Sequence, residues 1–278
     1  MMEDKNLISK IKHKGDIKES IQKAVNLLGG WKKFISPHEV VLLKPNYNTA
    51  DPFPGSTSLD IFEAIIPSIY AAGAKAVIIG ESSTFSLNTR KILEKRGVFD
   101  ACQRLGAKVY VLEEREWVKK EIPQGKYLKK VSVSYVLDRV DRIILLPCLK
   151  THIQSRFTAS LKLAVGFMKA PERVFLHLRK LEEKVAELNT LFKPDLIIMD
   201  ARKCFVTRGP DKGDVREPNL ILAGIDRIAI DVEGLKILKS FPAKNKLDLP
   251  LWEFPQIKRA VELGLGAKSE EDYELIEG

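Results

Sequence analysis

Cysteine is scarce in this chain of 278 residues: Cys102, Cys148 and Cys204 lie far apart and form no CxxC pair. That spacing excludes a disulfide scaffold and a self-contained iron–sulfur cluster, which needs grouped thiolates. Long hydrophobic runs are missing as well. No stretch approaches the roughly 18 apolar residues of a membrane-spanning helix, and the opening MMEDKNLISKIKHKGDIKES is charged throughout, with no apolar signal region. A cytoplasmic protein without a membrane partner is therefore expected. Several motifs are also lacking. There is no GxxxxGK followed by Ser or Thr, no GxGxxG after a strand, no GxSxG elbow and no HExxH. A P-loop, a Rossmann dinucleotide site, a hydrolase elbow and a zincin centre are thereby unsupported. His152, His177, Asp200 and Asp231 carry donor atoms, but their spacing supports no metal site built from protein alone.

What the chain does have is 45% hydrophobic residues and a formal charge of +9, from 46 Lys and Arg against 37 Asp and Glu. The first suffices for a substantial core, in one large α/β domain or two lobes. The second favours anionic partners without choosing between phosphate, carboxylate and nucleic acid. It is equally the mark of a Lys/Glu-rich solvated surface. A nucleic-acid binder is disfavoured, because no RNP, KH, zinc-finger or helix-turn-helix signature accompanies the charge.

Hydrophobic periodicity predicts alternating elements. Ile17, Ile21, Val25 and Leu28 recur at helical spacing before Gly29-Gly30, and a second helix is expected from about 59 to 72. Short continuous apolar runs at 40–43, 76–80, 107–112, 142–146, 194–199 and 219–224 suit strands buried on both faces. A weaker helix spans about 88–105, interrupted by Gly97; cleaner ones lie at 178–192 and from Ile225. The charged, alternating stretch 113–138 predicts antiparallel or edge strands, as a small sub-lobe or an insertion. The expected fold is a layered α/β domain over 1–278, with a mainly parallel central sheet flanked by helices.

In such sheets ligands bind beyond the carboxyl ends of the strands. The residues found there are Lys44 and Asn46 after the first run, Glu81 and Ser82 after the second, Lys150 and His152 after the run at 142–146, and Asp200 after PDLIIM. Thr158 and Lys162, four apart, share a helix face, and Thr158 suits an N-cap whose free N–H groups would receive an anion. Three lysines this close need an anion between them, or internal neutralisation by Glu81 or Asp200. His152 is the proton-transfer candidate, since neighbouring lysines would lower an intrinsic pKa near neutrality; a hydrogen-bonded loop histidine is the plainer alternative. His177, read as lying before the 178–192 helix, is a weaker candidate. Cys148 could become a reactive thiolate beside cations, but a small core residue is the commoner role.

The segments VLLKPNYN, AAGAKAVIIGESS, RIILLPCLKTHIQSRFTASLKLAVG, PDLIIMDA, RGPDKGD and LAGIDRIAIDVEG resemble, in that order, the DUF362 family. ELGLGAKSEEDYEL resembles its ending, so the likeness runs from about Asp16 onward. It implies a site at Lys44, Asn46, Lys150, His152, Thr158, Lys162, Asp200 and Asp231, and no established reaction. Family proteins often carry an appended ferredoxin-type domain, for which this chain has too few cysteines. Cys148 stands where the family commonly has lysine, and Leu163 where it has asparagine. A fainter likeness, of architecture alone, is to lactate-racemase-type proteins, with Gly80-Glu81-Ser82 in place of their Gly-Thr-His.

Two functions follow as expectations. One is an enzyme or binding protein for a small anionic metabolite, held by Lys44, Lys150, Lys162 and Thr158, with Asp200 or Asp231 orienting a lysine or a substrate-borne Mg²⁺. The other is a redox-associated partner of an iron–sulfur protein, without a cluster of its own.

Overall fold

The apolar runs that read as two-sided strands are buried on both faces. In Val40–Lys44, Leu42 packs into one core while Val41 and Leu43 pack into the other. Arg142–Leu145 divides likewise, with Ile143 and Leu145 opposite Ile144. Apolar residues in both phases of a strand require helices on each side of the sheet. The computed structural model, which describes residues 6–278, has that arrangement.

The strands are β1 (Asn6–Lys12), β2 (Val40–Lys44), β3 (Ala76–Glu81), β4 (Lys108–Val111), β5 (Trp117–Glu121), β6 (Lys130–Ser134), β7 (Arg142–Leu145), β8 (Cys148–His152), β9 (Arg156–Thr158), β10 (Leu196–Phe205), β11 (Val215–Arg216), β12 (Leu220–Gly224) and β13 (Tyr273–Glu277). Helices α1 (Ile17–Leu27), α2 (Leu59–Ala71), α3 (Thr89–Lys95) and α4 (Val98–Arg104) contribute to one core. Helices α5 (Ser160–Leu163), α6 (Glu172–Leu178), α7 (Leu181–Leu188), α8 (Arg227–Lys239) and α9 (Pro255–Glu262) contribute to the other. The expected break at Gly97 is real. That residue takes φ 70°, which glycine adopts without strain, and separates α3 from α4.

The main sheet runs β13-β1-β12-β10-β7-β2-β3-β4. From β10 to β4 the strands are parallel, while β12 runs antiparallel to both β10 and β1. The chain leaves β2 toward β3 on one side, and β7 lies on the other. The carboxyl end of β2 is thus a switch point, where a crevice opens. β8 continues beyond β7 along the same long strand, pairing β10 at Asp200 and Phe205. It then folds back as a hairpin with β9, Lys150 opposite Thr158 and His152 opposite Arg156.

Three features differ from the sequence expectation. NLILAG is an antiparallel strand, β12, because a short return from β10 reverses it. NLISKIK, charged and alternating, is a strand only because β12 and β13 flank it. Thr158 belongs to β9 of the hairpin and so shares no helix face with Lys162, which lies on α5. The stretch 113–138 does contain an antiparallel pair, β5 and β6, in a separate two-stranded sheet. Among the described residues no helix is long and apolar enough to cross a membrane.

Asp226 fastens the antiparallel half. Its Oδ1 accepts from Ile228 N and Ala229 N, each at 2.9 Å, capping α8. Its Oδ2 accepts from Asn6 Nδ2 at 3.0 Å and from Ala267 N at 2.7 Å. Asp226→Ala is expected to lower the unfolding free energy by about 2–4 kcal/mol, a lost cap plus an orphaned N–H. Urea denaturation measures this; a loss below about 0.5 kcal/mol would place the residue among ordinary surface positions.

Candidate functional site

Lys44 ends β2 and Glu81 ends the neighbouring parallel β3, so their side chains emerge together at the carboxyl edge of the sheet. Lys44 Nζ donates to Glu81 Oε1 and to Pro45 O, the latter at 2.7 Å. Glu81 also accepts from Tyr47 N and Ser82 N, both at 2.8 Å. The pair is 1% and 2% exposed. Burial pushes the Lys44 pKa down and Glu81 opposes that shift. A Cβ at Gly166 would lie 2.5 Å from Lys44 Cε and 2.7 Å from Nζ, so only glycine lets the chain close over this pair.

The hairpin forms the next wall. Alternate residues of β8 share a face, which turns Lys150 and His152 inward, while Leu149 joins the core and Thr151 Oγ1 donates to Phe205 O at 3.1 Å. Lys150 Nζ donates to Gly55 O and, at 3.4 Å, to Asn46 Oδ1. It has no carboxylate partner among the described residues, and burial lowers its pKa. Across the hairpin Thr158 carries a buried hydroxyl with no hydrogen-bond partner.

The two histidines are fixed in opposite tautomers. His152 Nδ1 accepts from Gln154 N at 3.0 Å and Ser155 N at 3.1 Å, so the proton of the neutral ring is on Nε2. Burial, then Lys162, His177 and Lys150, hold that ring far below the usual imidazole pKa. His177 Nδ1 lies 2.6 Å from Arg173 O, which can only accept, so this ring donates through Nδ1 and keeps a lone pair on Nε2. Its pKa is lowered by burial and by Lys162, Arg173 and Lys184, with the Arg173 carbonyl opposing.

Lys162 rides on α5, a single turn. Asp231 of α8 accepts from Ser160 N at 2.7 Å and Leu161 N at 3.2 Å, anchoring that turn from below. The Lys162 side chain is half-buried, and its ammonium makes no hydrogen bond or salt bridge with the described residues. Burial, with Lys150 and Arg173 nearby, pushes its pKa down to about 7. Arg173, from α6, is buried without a carboxylate partner among the described residues. Its guanidinium donates to the carbonyls of Met168, Ser82, Ser83 and Gly166 and to Ser82 Oγ.

Lys44, Lys150, Lys162 and Arg173 thus surround one cavity of about 100 Å³, whose lining contains a single carboxylate, Glu81. Asn46, Ser82, His152 and Thr158 also line it. Two of the sequence-selected residues do not. Asp200 accepts from Arg202 Nε at 3.0 Å and from its Nη2 at 2.8 Å, a local pairing two residues along one strand face, and Arg202 reaches on to Asp60. Asp231 serves the α5 backbone and orients Lys162 only through that turn. Because Asp231 occupies those N–H groups and Ala159, not Thr158, is the N-cap, α5 offers no free helix terminus to an anion. Ser82 is engaged internally as well, donating to Glu113 Oε1 at 2.7 Å. Gly209 approaches backbone rather than a ligand: a Cβ there would be 1.8 Å from Thr151 O. Arg173 does not stand out in the sequence, where its one signal is its i, i+4 spacing with His177 in ERVFLH.

The donor set does not fit a divalent cation held by protein carboxylates, since Glu81 is already bound to Lys44 and two amides. Burial raises the thiols of Cys102 and Cys204 to about 12 and that of Cys148 to about 11, so Cys148 is a core thiol rather than a nucleophile.

A mainly parallel sheet between helical layers, with polar groups gathered at the carboxyl edge beside its switch point, defines a layered α/β protein. Residues 41–236, which include every lysine, arginine and histidine of the cavity, match the family described as "Domain of unknown function (DUF362)", and the chain belongs to that family. The thylakoid-associated protein sll1697 of Synechocystis sp. is 28% identical over 244 residues, 82% of this chain and 72% of that protein. The lactate racemase apoprotein from Thermoanaerobacterium thermosaccharolyticum is similar with a TM-score of 0.49 at 9% identity, over 83% of this chain and 56% of that one.

Removing one member of a buried ion pair strands the other. Glu81→Gln is expected to cost about 3–5 kcal/mol in denaturant unfolding, and Lys44→Met added to it should restore part of that loss. If the double variant is as unstable as the sum of the singles, the two groups do not act as a pair.

Proposed function

We propose that this protein binds a small anionic metabolite, a phosphate or a carboxylate, in the cavity at the carboxyl edge of the sheet, and moves protons on it. One observation carries the reading: four cationic side chains converge on a partly open cavity lined by one carboxylate, and that carboxylate is already engaged. Like charges held together out of water repel, and an anion among them relieves the repulsion. Among the donors left unsatisfied are Lys162, the Thr158 hydroxyl, a third proton on Lys150 as on Lys44, and the His152 Nε2–H. These would contact the ligand. Arg173 would act through its field, because backbone carbonyls already take its N–H groups. Proton transfer would fall to His177, whose Nε2 lone pair is available, with the neutral His152 as a hydrogen-bond donor.

Lys162 makes the reading pH-dependent. The groups around it are Lys150 and His152 on β8, Arg173 and His177 on α6, Lys44 on β2 and Glu81 on β3. Its folded-state pKa of about 7 lies below the ordinary 10.5, so its positive charge is lost as pH rises through neutrality. Sulfate keeps its charge across that range and is the suitable probe. Calorimetric titration should show sulfate binding that is tightest below neutrality and weakens as pH passes about 7. Lys162→Met should weaken it about 10–100-fold below neutrality, as expected for one charged hydrogen bond, and flatten the pH dependence. No binding at any pH, or an unchanged slope in Lys162→Met, would contradict the reading.

A further inference from the structure

We propose that Lys162 is an amine nucleophile that condenses with the carbonyl group of a small anionic oxo compound, a 2-oxo carboxylate being the simplest, to form an imine. This deepens the anion-binding reading and rests on it.

The three lysines of the cavity are not equivalent. Lys44 is tied to Glu81 and Pro45 O, and Lys150 to Gly55 O and Asn46 Oδ1. Either would have to break a buried hydrogen bond before its nitrogen could attack. The Lys162 ammonium is tied to nothing among the described residues, and Asp231 pins the turn from which it reaches into the cavity. A partly desolvated lysine beside other cations is the arrangement that makes an amine reactive at neutral pH. Lys150 and Arg173 supply those cations, and the resulting fall in basicity leaves a large share of the nitrogen unprotonated near neutrality.

The surroundings also fit the remaining needs of the reaction. A carboxylate next to the carbonyl would be received by the spare Lys150 proton and the orphaned Thr158 hydroxyl. The His152 Nε2–H can donate to the carbonyl oxygen, and the His177 lone pair can accept a proton. The Lys162 lone pair forms the C–N bond while the carbonyl π pair moves onto oxygen. Two protons then pass from nitrogen to that oxygen by way of His177 Nε2. The C–O bond breaks with its electron pair and water leaves. Amine and carbonyl become imine and water, with no change of oxidation state.

Borohydride reduction provides the test, because it converts an imine to a stable secondary amine on the full-length protein. Wild-type protein would be incubated with glyoxylate or pyruvate, reduced, digested with trypsin and mapped by mass spectrometry. Modification at Lys162 blocks cleavage there, so the adduct should appear on the uncut peptide Phe157–Lys169. Labelling of Lys162 should exceed that of exposed lysines on the order of 100-fold at neutral pH, a roughly 1,000-fold larger unprotonated fraction being partly offset by the lower nucleophilicity of a less basic amine. Excess sulfate should suppress it, and a neutral carbonyl such as acetone should label poorly. Lys162→Arg, which keeps a cation but not the nucleophile, should bind sulfate and lose the adduct. Sulfate binding together with adducts scattered evenly over surface lysines would overturn the imine and leave the anion site standing. Failure of both sulfate binding and trapping would overturn both. The wild-type peptide map decides the matter even if the variant does not fold.

Discussion

A buried ammonium–carboxylate pair, Lys44 with Glu81, joins the ends of two adjacent parallel strands, and the rest of the site is arranged around it. The pair is costly to desolvate, and its geometry meets that cost with amides at 2.8 Å on the carboxylate and a carbonyl on the ammonium. Those contacts fix the loop after β2 and the start of the loop after β3. They also require glycine at position 166, because any larger residue would strike Lys44. The turn that passes over the pair leads on from Lys162 and into α6, which brings Arg173 and His177 back to the same place. One interaction therefore sets the floor of the cavity and the path of its lid.

Above that floor the electrostatics are unbalanced by design of the fold rather than by surface charge. The cations come from three separate parts of the chain, β2, the β8 hairpin with α5, and α6, and only one finds a carboxylate within the cavity. Backbone carbonyls hold Lys150 and Arg173 in place without neutralising them. Lys162 is left as the group whose charge responds most readily to what enters. Burial, reinforced by these cations, lowers the pKa of both imidazoles, and their backbone hydrogen bonds leave an N–H on one and a lone pair on the other, as proton movement on a bound anion would need.

Much of this was legible in the sequence, for identifiable reasons. Strands buried on both faces advertise themselves as unbroken apolar runs, and the polar residues that end them, Lys44, Glu81 and Lys150, therefore stand out. His152 and Lys162 follow from the same stretch, whereas Thr158 reaches the cavity from strand β9 and not from the helix face it was expected to share with Lys162. What a sequence cannot carry is the partner of a long-range interaction. Asp200 looked available until its pairing with Arg202, although an acid and a base two apart in one strand was a readable warning. Asp231 is distant in sequence from the turn it caps. Arg173 gave no local sign that α6 folds back over the cavity, and the tautomers of His152 and His177 depend on single hydrogen bonds to backbone. β13 was hidden because an edge strand rich in charge resembles a solvated tail, and β1 because its charged, alternating residues are made a strand only by distant β12 and β13.

The most direct test of the central claim is a crystal structure of the full chain grown in sulfate below neutral pH. A tetrahedral anion should occupy the cavity, within hydrogen-bonding distance of Lys162 Nζ and Thr158 Oγ1, with the Lys44–Glu81 pair intact beneath it. A cavity holding only water while sulfate occupies exposed lysines elsewhere, or a Lys162 side chain turned out to solvent, would contradict it.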